Sequence, residues 1–400
     1  MKNKYCKYCW PTKRRTHFFL HLDYYCNKLT YFFKPIDWFL KRIGKDHSFF
    51  WMTFLEILSI FKIVKFVPDP DQSKLFNRSL IFFKEAKKRN LQIEAVRFLG
   101  KYINEFRFTH QGKKYYYSEI PLTLFEDLES KMDDKYFFKK ILEKNNLPSA
   151  RGRVFTKQNK AIEYGVDIGF PLVVKPRNGS LSHHACYPIK SKQKLIEAVK
   201  IANQYKPAFI VERYISGDLF RASVVGKENI FICKKEKANV VGDGVSTIEE
   251  LINLKNKNPN RGAANQKNFT LHQIVIDKDL KNKLKKEGLN LRSVPKKGKK
   301  IILSDKIILS KGCDVINVKK EAHSENKKLF LKIAKILDSD LVGFDFICSD
   351  ISKSYKEQGL AILEANSLPF IDMHQFPSKG EKESVAEIVW DLVLKNIKFL

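Results

Sequence analysis

The sequence has no apolar run long enough to cross a bilayer. Its most apolar stretch, 48–67 (SFFWMTFLEILSIFKIVKFV), is cut by Glu56, Lys62 and Lys65. The uninterrupted part falls short of the roughly 20 residues a spanning helix needs. The N-terminus is polar and aromatic without the apolar core of a secretory signal, so the expected compartment is cytoplasmic. Cysteine is sparse and odd in number, at seven. Cys186, Cys233, Cys313 and Cys348 lie far apart, mostly within apolar runs. They read as buried thiols in a reducing cytosol, which excludes a disulfide framework. Acids are scarce beside bases: 44 Asp and Glu face 74 Lys and Arg, for a formal net charge of +30. Such an excess fits an anionic partner or a lysine-rich compositional bias of the kind an AT-rich genome produces. The lysines are spread along the whole chain rather than massed in one block, which favours solvated faces.

Four hundred residues with 44% hydrophobic content suffice for two or three domains with real cores. Residues 1–47 are basic and aromatic. Cys6 and Cys9 form a CxxC, and His17 and His21 follow at i, i+4, so a zinc knuckle is one reading. The interval from Cys9 to His17 is shorter than the usual finger, which favours a basic surface segment. A helix over 48–67 would pack into the body of the protein or lie on a membrane surface beside anionic headgroups, and packing is the expectation. The stretch KLFNRSLIFFKEAKKRN has helical spacing, and two alternating runs around Gln111-Gly112 predict a β-hairpin. A helix is expected between Leu124 and Asn146. From 149 to 225 strands and helices alternate. Beyond that come a strand at IFICKK, a helix capped by Ser246 with Glu249, a helix over 277–290, a strand-like IILSDKIILS, and a helix from about 321 to 338.

Three places carry chemistry. Lys175 ends the continuous apolar run Leu172 to Val174, and a lysine at a buried strand end is costly unless it faces an anion, of which phosphate is the natural candidate. Glu212 closes a second apolar run, where it could accept from an adenine amino group. Two apolar runs near the C-terminus, LVGFDFIC and LAILEAN, present Asp345, Glu364 and Asn366. Residues two apart on a strand share a face, so pairing of these strands would gather three oxygen-bearing side chains. Such a set suits Mg²⁺, which takes one or two carboxylates plus substrate phosphates. Two buried acids satisfied within the core are the alternative.

The pieces Lys175-Pro176, Val211-Glu212-Arg213-Tyr214, Val241-Gly242-Asp243-Gly244 through Arg261-Gly262, Val342-Gly343-Phe344-Asp345 and Leu363-Glu364-Ala365-Asn366 occur in the order of an ATP-grasp ligase. The chain resembles most the ATP-grasp domain of the cyanophycin synthetases, and that of the fused glutathione synthetases, over roughly residues 130 to 395. The resemblance implies an α+β chain with an ATP-grasp fold, two α+β lobes clamping ATP. The lobes would be 130–225 and 226–400, preceded by a small α/β domain at 74–129 and a basic aromatic extension at 1–73. It implies an ADP-forming carboxylate–amine ligase working through an acyl phosphate with ATP and Mg²⁺, on amino-acid or peptide carboxylates and amines. By resemblance Asp345, Glu364 and Asn366 hold Mg²⁺, Lys135 and Lys175 contact ATP phosphates, Glu212 reads the adenine amino group, and Ile215 lies on the segment facing the ring. Arg221 would neutralise phosphate or the tetrahedral intermediate.

Three departures stand out. The loop after Lys175-Pro176, glycine-rich in the family, holds only Gly179 in the stretch 179–185, so His183 and His184 could replace backbone donors. The family's ribose-binding acid comes two residues after the glycine, where this chain has Leu219; Asp218, directly after Gly217, is carried as the ribose contact in its stead. The family's Arg and Asn near 304–308 are missing, leaving Lys306 to supply part of that charge without arginine's planar fork. An ATP-binding homologue with reduced or no ligase activity, in a regulatory or scaffold role, is therefore the alternative. A third reading is a protein directed by residues 1–67 to an anionic membrane surface or a polyanion. A homo-oligomer stays open. The chain ends at Leu400 without the further domain that follows the ATP-grasp region in full cyanophycin synthetases, so cyanophycin itself is not the expected product.

Overall fold

Strand-forming runs of β-branched and aromatic residues set the architecture. The computed structural model describes residues 6, 8, 15–30, 47–124, 131–179 and 183–397. The chain divides into two units: Met1–Trp51 with Lys131–Gly217 and Gly359–Ala365, and Met52–Ser130 with Asp218–Gln358 and Asn366–Leu400.

The first unit is built on a four-stranded antiparallel sheet in the order Gly152–Phe155, Phe209–Arg213, Leu172–Pro176, Cys186–Ile189. Helices Gln158–Ile168 and Lys192–Tyr205 turn Ala161, Ile168, Leu195, Ala198, Val199 and Ala202 onto Leu172, Val174, Phe209 and Val211. Ser191 caps the second helix, its hydroxyl accepting from Lys194 N at 3.3 Å, as expected of serine at that position. Helix Arg15–Thr30 packs on that helix. Helix Lys135–Lys144 starts at Asp134, whose carboxylate accepts from the amides of Tyr136 and Phe137. The helix expected from Leu124 is thus shorter: Pro121–Leu124 is a 3₁₀ turn, and 125–130 lie outside the described residues.

The second unit contains two larger sheets. In the first, Val64–Val67, Gln92–Phe98, Lys101–His110 and Lys113–Ser118 run antiparallel in chain order. Its hairpin turns at Gln111 and Gly112, both at positive φ (50° and 77°). That backbone matches the right-handed twist of the flanking strands. Helices Asn77–Lys88 and Val385–Asn396 cover the sheet. Between them Phe82, Phe106, Phe108 and Trp390 are fully buried, and Trp390 Nε1 donates to Phe82 O at 2.9 Å. Each such aromatic contributes about 1.5–3 kcal/mol by leaving water. The helix His47–Ile60 takes up part of the apolar 48–67 stretch. Leu55 packs with Val64 and Val96, and Glu56 pairs with Arg107, Lys114 and Tyr116. Phe54, Ile57 and Ile60 on the same helix are exposed. Among the described residues no helix is long and apolar enough to cross a membrane.

In the other sheet Asp314–Asn317, Asn229–Glu236, Asp218–Val225 and Leu341–Cys348 lie side by side, all antiparallel. A smaller layer pairs Asn239–Val241 with Lys300–Ile302 beneath helices Ile248–Asn256 and Lys278–Lys286. Two local expectations change here. Thr247, not Ser246, caps the helix, with Glu250 completing the capping box, because Asp243 already takes both the amide and the hydroxyl of Ser246. The strand expected over 301–310 stops at Ile302, because Ser304 Oγ donates to Lys306 O and folds the backbone into a turn.

Candidate functional site

In the first unit the predicted phosphate lysine and adenine acid are partners. Lys175 and Glu212 lie on neighbouring antiparallel strands, Glu212 opposite Val173 and so on the same face as Lys175. Their charges meet at 2.6 Å, with side chains 13% and 6% exposed. Lys139 approaches the other Glu212 oxygen at 3.8 Å and donates to Ala150 O. Burial lowers the Lys139 pKa, and the nearby Glu212 charge opposes that. Glu212 thus sits between two lysines. Gly152, opposite Glu212 on the edge strand, makes this approach feasible: a Cβ there would lie 2.7 Å from the Glu212 Cα.

Lys135, in the first turn of its helix, donates to Gly179 O at 2.6 Å and pairs with Glu364 at 2.9 Å. Glu364 lies on strand Ala361–Asn366, whose Ile362 bridges to Ser149. Next to Pro176, Arg177 grips both oxygens of Asp134, the residue that caps the Lys135 helix. This clamp fixes Lys135 relative to the strand carrying Lys175. Ile215 is half-buried in the segment after Arg213, where Tyr214 N donates to Pro171 O.

In the second unit Asp345 and Arg221 are direct cross-strand partners, and Arg221 is in turn opposite Cys233. Arg221 Nε reaches Asp345 Oδ1 at 2.7 Å. Lys235, two residues beyond Cys233 and so on the same face, contacts both carboxylate oxygens at 2.9 Å. Burial alone would push the Asp345 carboxyl up. The Arg221 and Lys235 cations outweigh it and hold the group well below the usual carboxylate range. Gly343 leaves the room Arg221 needs, since a Cβ there would meet its Nη1 at 2.4 Å. Asn366 donates through Nδ2 to Gly343 O at 3.3 Å, which leaves its carbonyl oxygen as the atom available to a cation. On the same face His374 contacts Ser223 Oγ, two residues along the strand from Arg221, at 2.8 Å. Its pKa falls to about 3 through burial, with the Arg221 charge adding to the effect.

The remaining expected residues are placed less centrally. Asp218 is exposed at the start of its strand and accepts from Lys234 at 2.6 Å. Lys306 stands in the turn after Ser304, along a concavity shared with Asp277, Lys283 and Lys311. His184 does not present its ring as a donor to an anion. It is buried, its Nδ1 is bonded to Ile201 O at 2.7 Å, and its Nε2 faces Cys6 Sγ. Cys9 of the CxxC lies outside the described residues. Lys139, Arg177 and Lys235 were not singled out from sequence. Lys235 had a signal: like Lys175, it closes an apolar strand.

Residues 140–287 match the family described as D-ala D-ala ligase C-terminus. The cyanophycin synthetase of Trichormus variabilis is 35% identical over 266 residues, 66% of this chain and 29% of that protein. The glutathione biosynthesis bifunctional protein of Clostridium perfringens is 32% identical over 265 residues, 66% of this chain and 34% of that protein. The chain therefore spans about a third of the length of the curated relatives it matches. The crystal structure of a bifunctional glutathione synthetase from Pasteurella multocida shares the fold, with a TM-score of 0.63 at 22% identity, over 81% of this chain and 44% of that one. With its motifs in order and its sheets of the matching α+β kind, the chain has the ATP-grasp fold and is similar over 66% of its length to cyanophycin synthetase and the bifunctional glutathione synthetases.

Proposed function

We propose that the protein is an ATP- and Mg²⁺-dependent ligase joining an amino-acid or peptide carboxylate to an amine. One observation carries the reading: the Asp345 carboxylate is held between Arg221 and Lys235 on one sheet face. Two cations against one anion leave positive charge in a nearly dry place, and a phosphate is the ligand that would balance it.

The donor types fit the metal, since Asp345, Glu364 and Asn366 offer oxygens only. These three would hold Mg²⁺, which when bound neutralises phosphate charge. Lys135 and Lys175 would bind the phosphates, and Arg221 with Lys235 would stabilise charge developing on the transferred group. Glu212 would accept from the adenine amino group, Ile215 would lie along the ring, and Asp218 would reach toward the ribose. Lys306 would add positive charge near the intermediate. In the reaction a carboxylate oxygen attacks the γ-phosphorus, and the bond to the β-phosphate oxygen breaks to release ADP. The amine nitrogen then bonds to the acyl carbon, phosphate leaves, and the amine's proton goes to solvent or phosphate. Catalysis of this kind is mostly positioning and charge stabilisation. Free thiols buried at Cys233, Cys313 and Cys348 accord with a reducing, cytoplasmic setting.

The test is incubation of the full chain with MgATP and an amino-acid and dipeptide library, following ADP release and product mass. An amide product formed with ADP, and abolished by Lys175→Met, is expected. Because the arginine near 304–308 is absent, a non-ligating ATP-binding role is the second reading. Calorimetric MgATP binding with no turnover across the library would favour it.

A further inference from the structure

A second chemical centre lies in the first unit, away from the Lys175–Glu212 pair. Cys6 Sγ, a His17 ring nitrogen and His184 Nε2 converge, their ligand atoms all within 4.8 Å of one another. Cys6 is 5% and His184 1% exposed. We propose that this is a zinc site, which ties Cys6 and His17 to His184, two residues before strand Cys186–Ile189.

Four observations support it. First, the separation of Cys6 Sγ and His184 Nε2 is 3.3 Å. Bond lengths of about 2.3 Å to sulfur and 2.0 Å to nitrogen, at a tetrahedral angle, set the two ligands about 3.5 Å apart. The pair is already spaced to share one ion. Second, His184 Nδ1 faces the carbonyl of Ile201 at 2.7 Å. A carbonyl only accepts, so Nδ1 carries the proton and Nε2 presents its lone pair to the cysteine. Metal-binding histidines are oriented by this kind of outer hydrogen bond. Third, Tyr8 N donates to Cys6 Sγ at 3.4 Å, which fixes the sulfur's position opposite His184. His184 N in turn donates to Tyr8 O, so Cys6 and Tyr8 are both held by His184. Fourth, aromatic rings pack around the histidine. The rings of Tyr8, His17 and Tyr205 all lie against His184, with centroids 5.4, 4.9 and 5.1 Å away.

His184 takes a left-handed backbone, φ +53°, to turn its ring inward. This costs energy that a specific partner must offset. The same burial argues against a nucleophilic cysteine–histidine pair, which needs an open face for its substrate. One cysteine and two histidines suit a borderline-soft ion, with a fourth position left for water or another ligand. The grouping differs from the one suggested by the CxxC: His184 comes from 178 positions along the chain, and His21 is not a member.

The experiment uses the full chain, purified under reducing conditions without a histidine tag. It is supplied with zinc, dialysed, and its metal content measured by mass spectrometry. We expect about one zinc per chain. Exchange with Co²⁺ should give visible d–d bands and a near-ultraviolet thiolate-to-cobalt charge-transfer band. Cys6→Ser should abolish the charge-transfer band. His17→Asn, on a partly exposed helix face where folding is safe, should weaken binding by more than the roughly 10–100-fold lost with an outer partner. Equal metal retention by all three chains, or none by any, overturns the assignment. So does a cobalt spectrum without the charge-transfer band.

Discussion

Each unit of the molecule holds a buried carboxylate flanked by two basic side chains, yet the two are built differently. In the first unit Glu212 has Lys175 at 2.6 Å and Lys139 at 3.8 Å. In the second, Asp345 has Arg221 at 2.7 Å and Lys235 at 2.9 Å. The first cluster is made of flexible point charges, one of which is also anchored on the Ala150 carbonyl. In the second an arginine directly across the ladder aims a planar fork at the acid, with a lysine on the far side. Both leave a surplus positive charge of about one, which an incoming phosphate would balance. The lysine cluster can open toward a ligand by rotating one side chain, whereas the arginine cluster is fixed by register.

The comparison breaks most sharply at Asp345. Asp345→Asn leaves Arg221 and Lys235 facing each other without a counter-charge, at an expected cost of about 3–5 kcal/mol in urea unfolding, along with loss of any ligase activity. The sign with pH follows. The folded-state pKa lies below its ordinary 3.8. The carboxylate's contribution is therefore complete above that value and is lost as pH falls through the folded pKa. An Asp345→Asn chain that unfolds at the same urea concentration as the parent would show that the cluster is not stabilising.

The glycines beside each acid come next. Gly152→Ala sets a methyl 2.7 Å from the Glu212 backbone, which cannot yield, so a loss of about 2–3 kcal/mol is expected. Gly343→Ala instead meets the end of the Arg221 side chain and Pro369 Cβ, which can shift. About 1–2 kcal/mol is expected there, with a disproportionate fall in activity as the guanidinium moves. Thermal unfolding beside ADP release separates the two. Glu212→Gln ranks below Gly152→Ala, at roughly 2 kcal/mol, because Lys139 keeps its carbonyl and Lys175 can reach water. A loss equal to that of Asp345→Asn would erase the distinction between the clusters.

What could be read in advance follows the same divide. Leu172–Pro176, Phe209–Arg213 and Leu341–Cys348 were visible as strands because β-branched runs with sharp ends admit few other conformations. Lys175 and Asp345 were visible because a charge inside such a run demands a partner. The partners were not all visible. Lys235 lies 110 positions from Asp345, and only the register of three strands makes them neighbours. Cys6 and His184 are separated further still, at 178 positions, and no local motif pointed to their meeting. The cap at Thr247 was missed by one residue, because Asp243 competes for Ser246 and spacing alone does not reveal which hydroxyl is already engaged.

A third carboxylate serves as the control for both clusters. Glu105 stands opposite Ser118 in the hairpin sheet, and among the described residues no basic side chain pairs with it. Burial pushes its pKa up to about 7, only partly offset by the Ser118 hydrogen bond. Partial burial with no cation thus moves an acid upward, where Arg221 and Lys235 move Asp345 downward. The folded chain holds this proton while the unfolded chain releases it near 4.5, so stability falls as pH rises between those values and stays reduced above about 7. Glu105→Gln removes the penalty. After allowance for partial solvent screening it should stabilise the protein by roughly 1 kcal/mol at pH 8, and the gain should vanish in acid below the unfolded pKa. Thermal unfolding of parent and variant across that range checks it, and a gain independent of pH would mean that packing, not the lone charge, accounts for the difference.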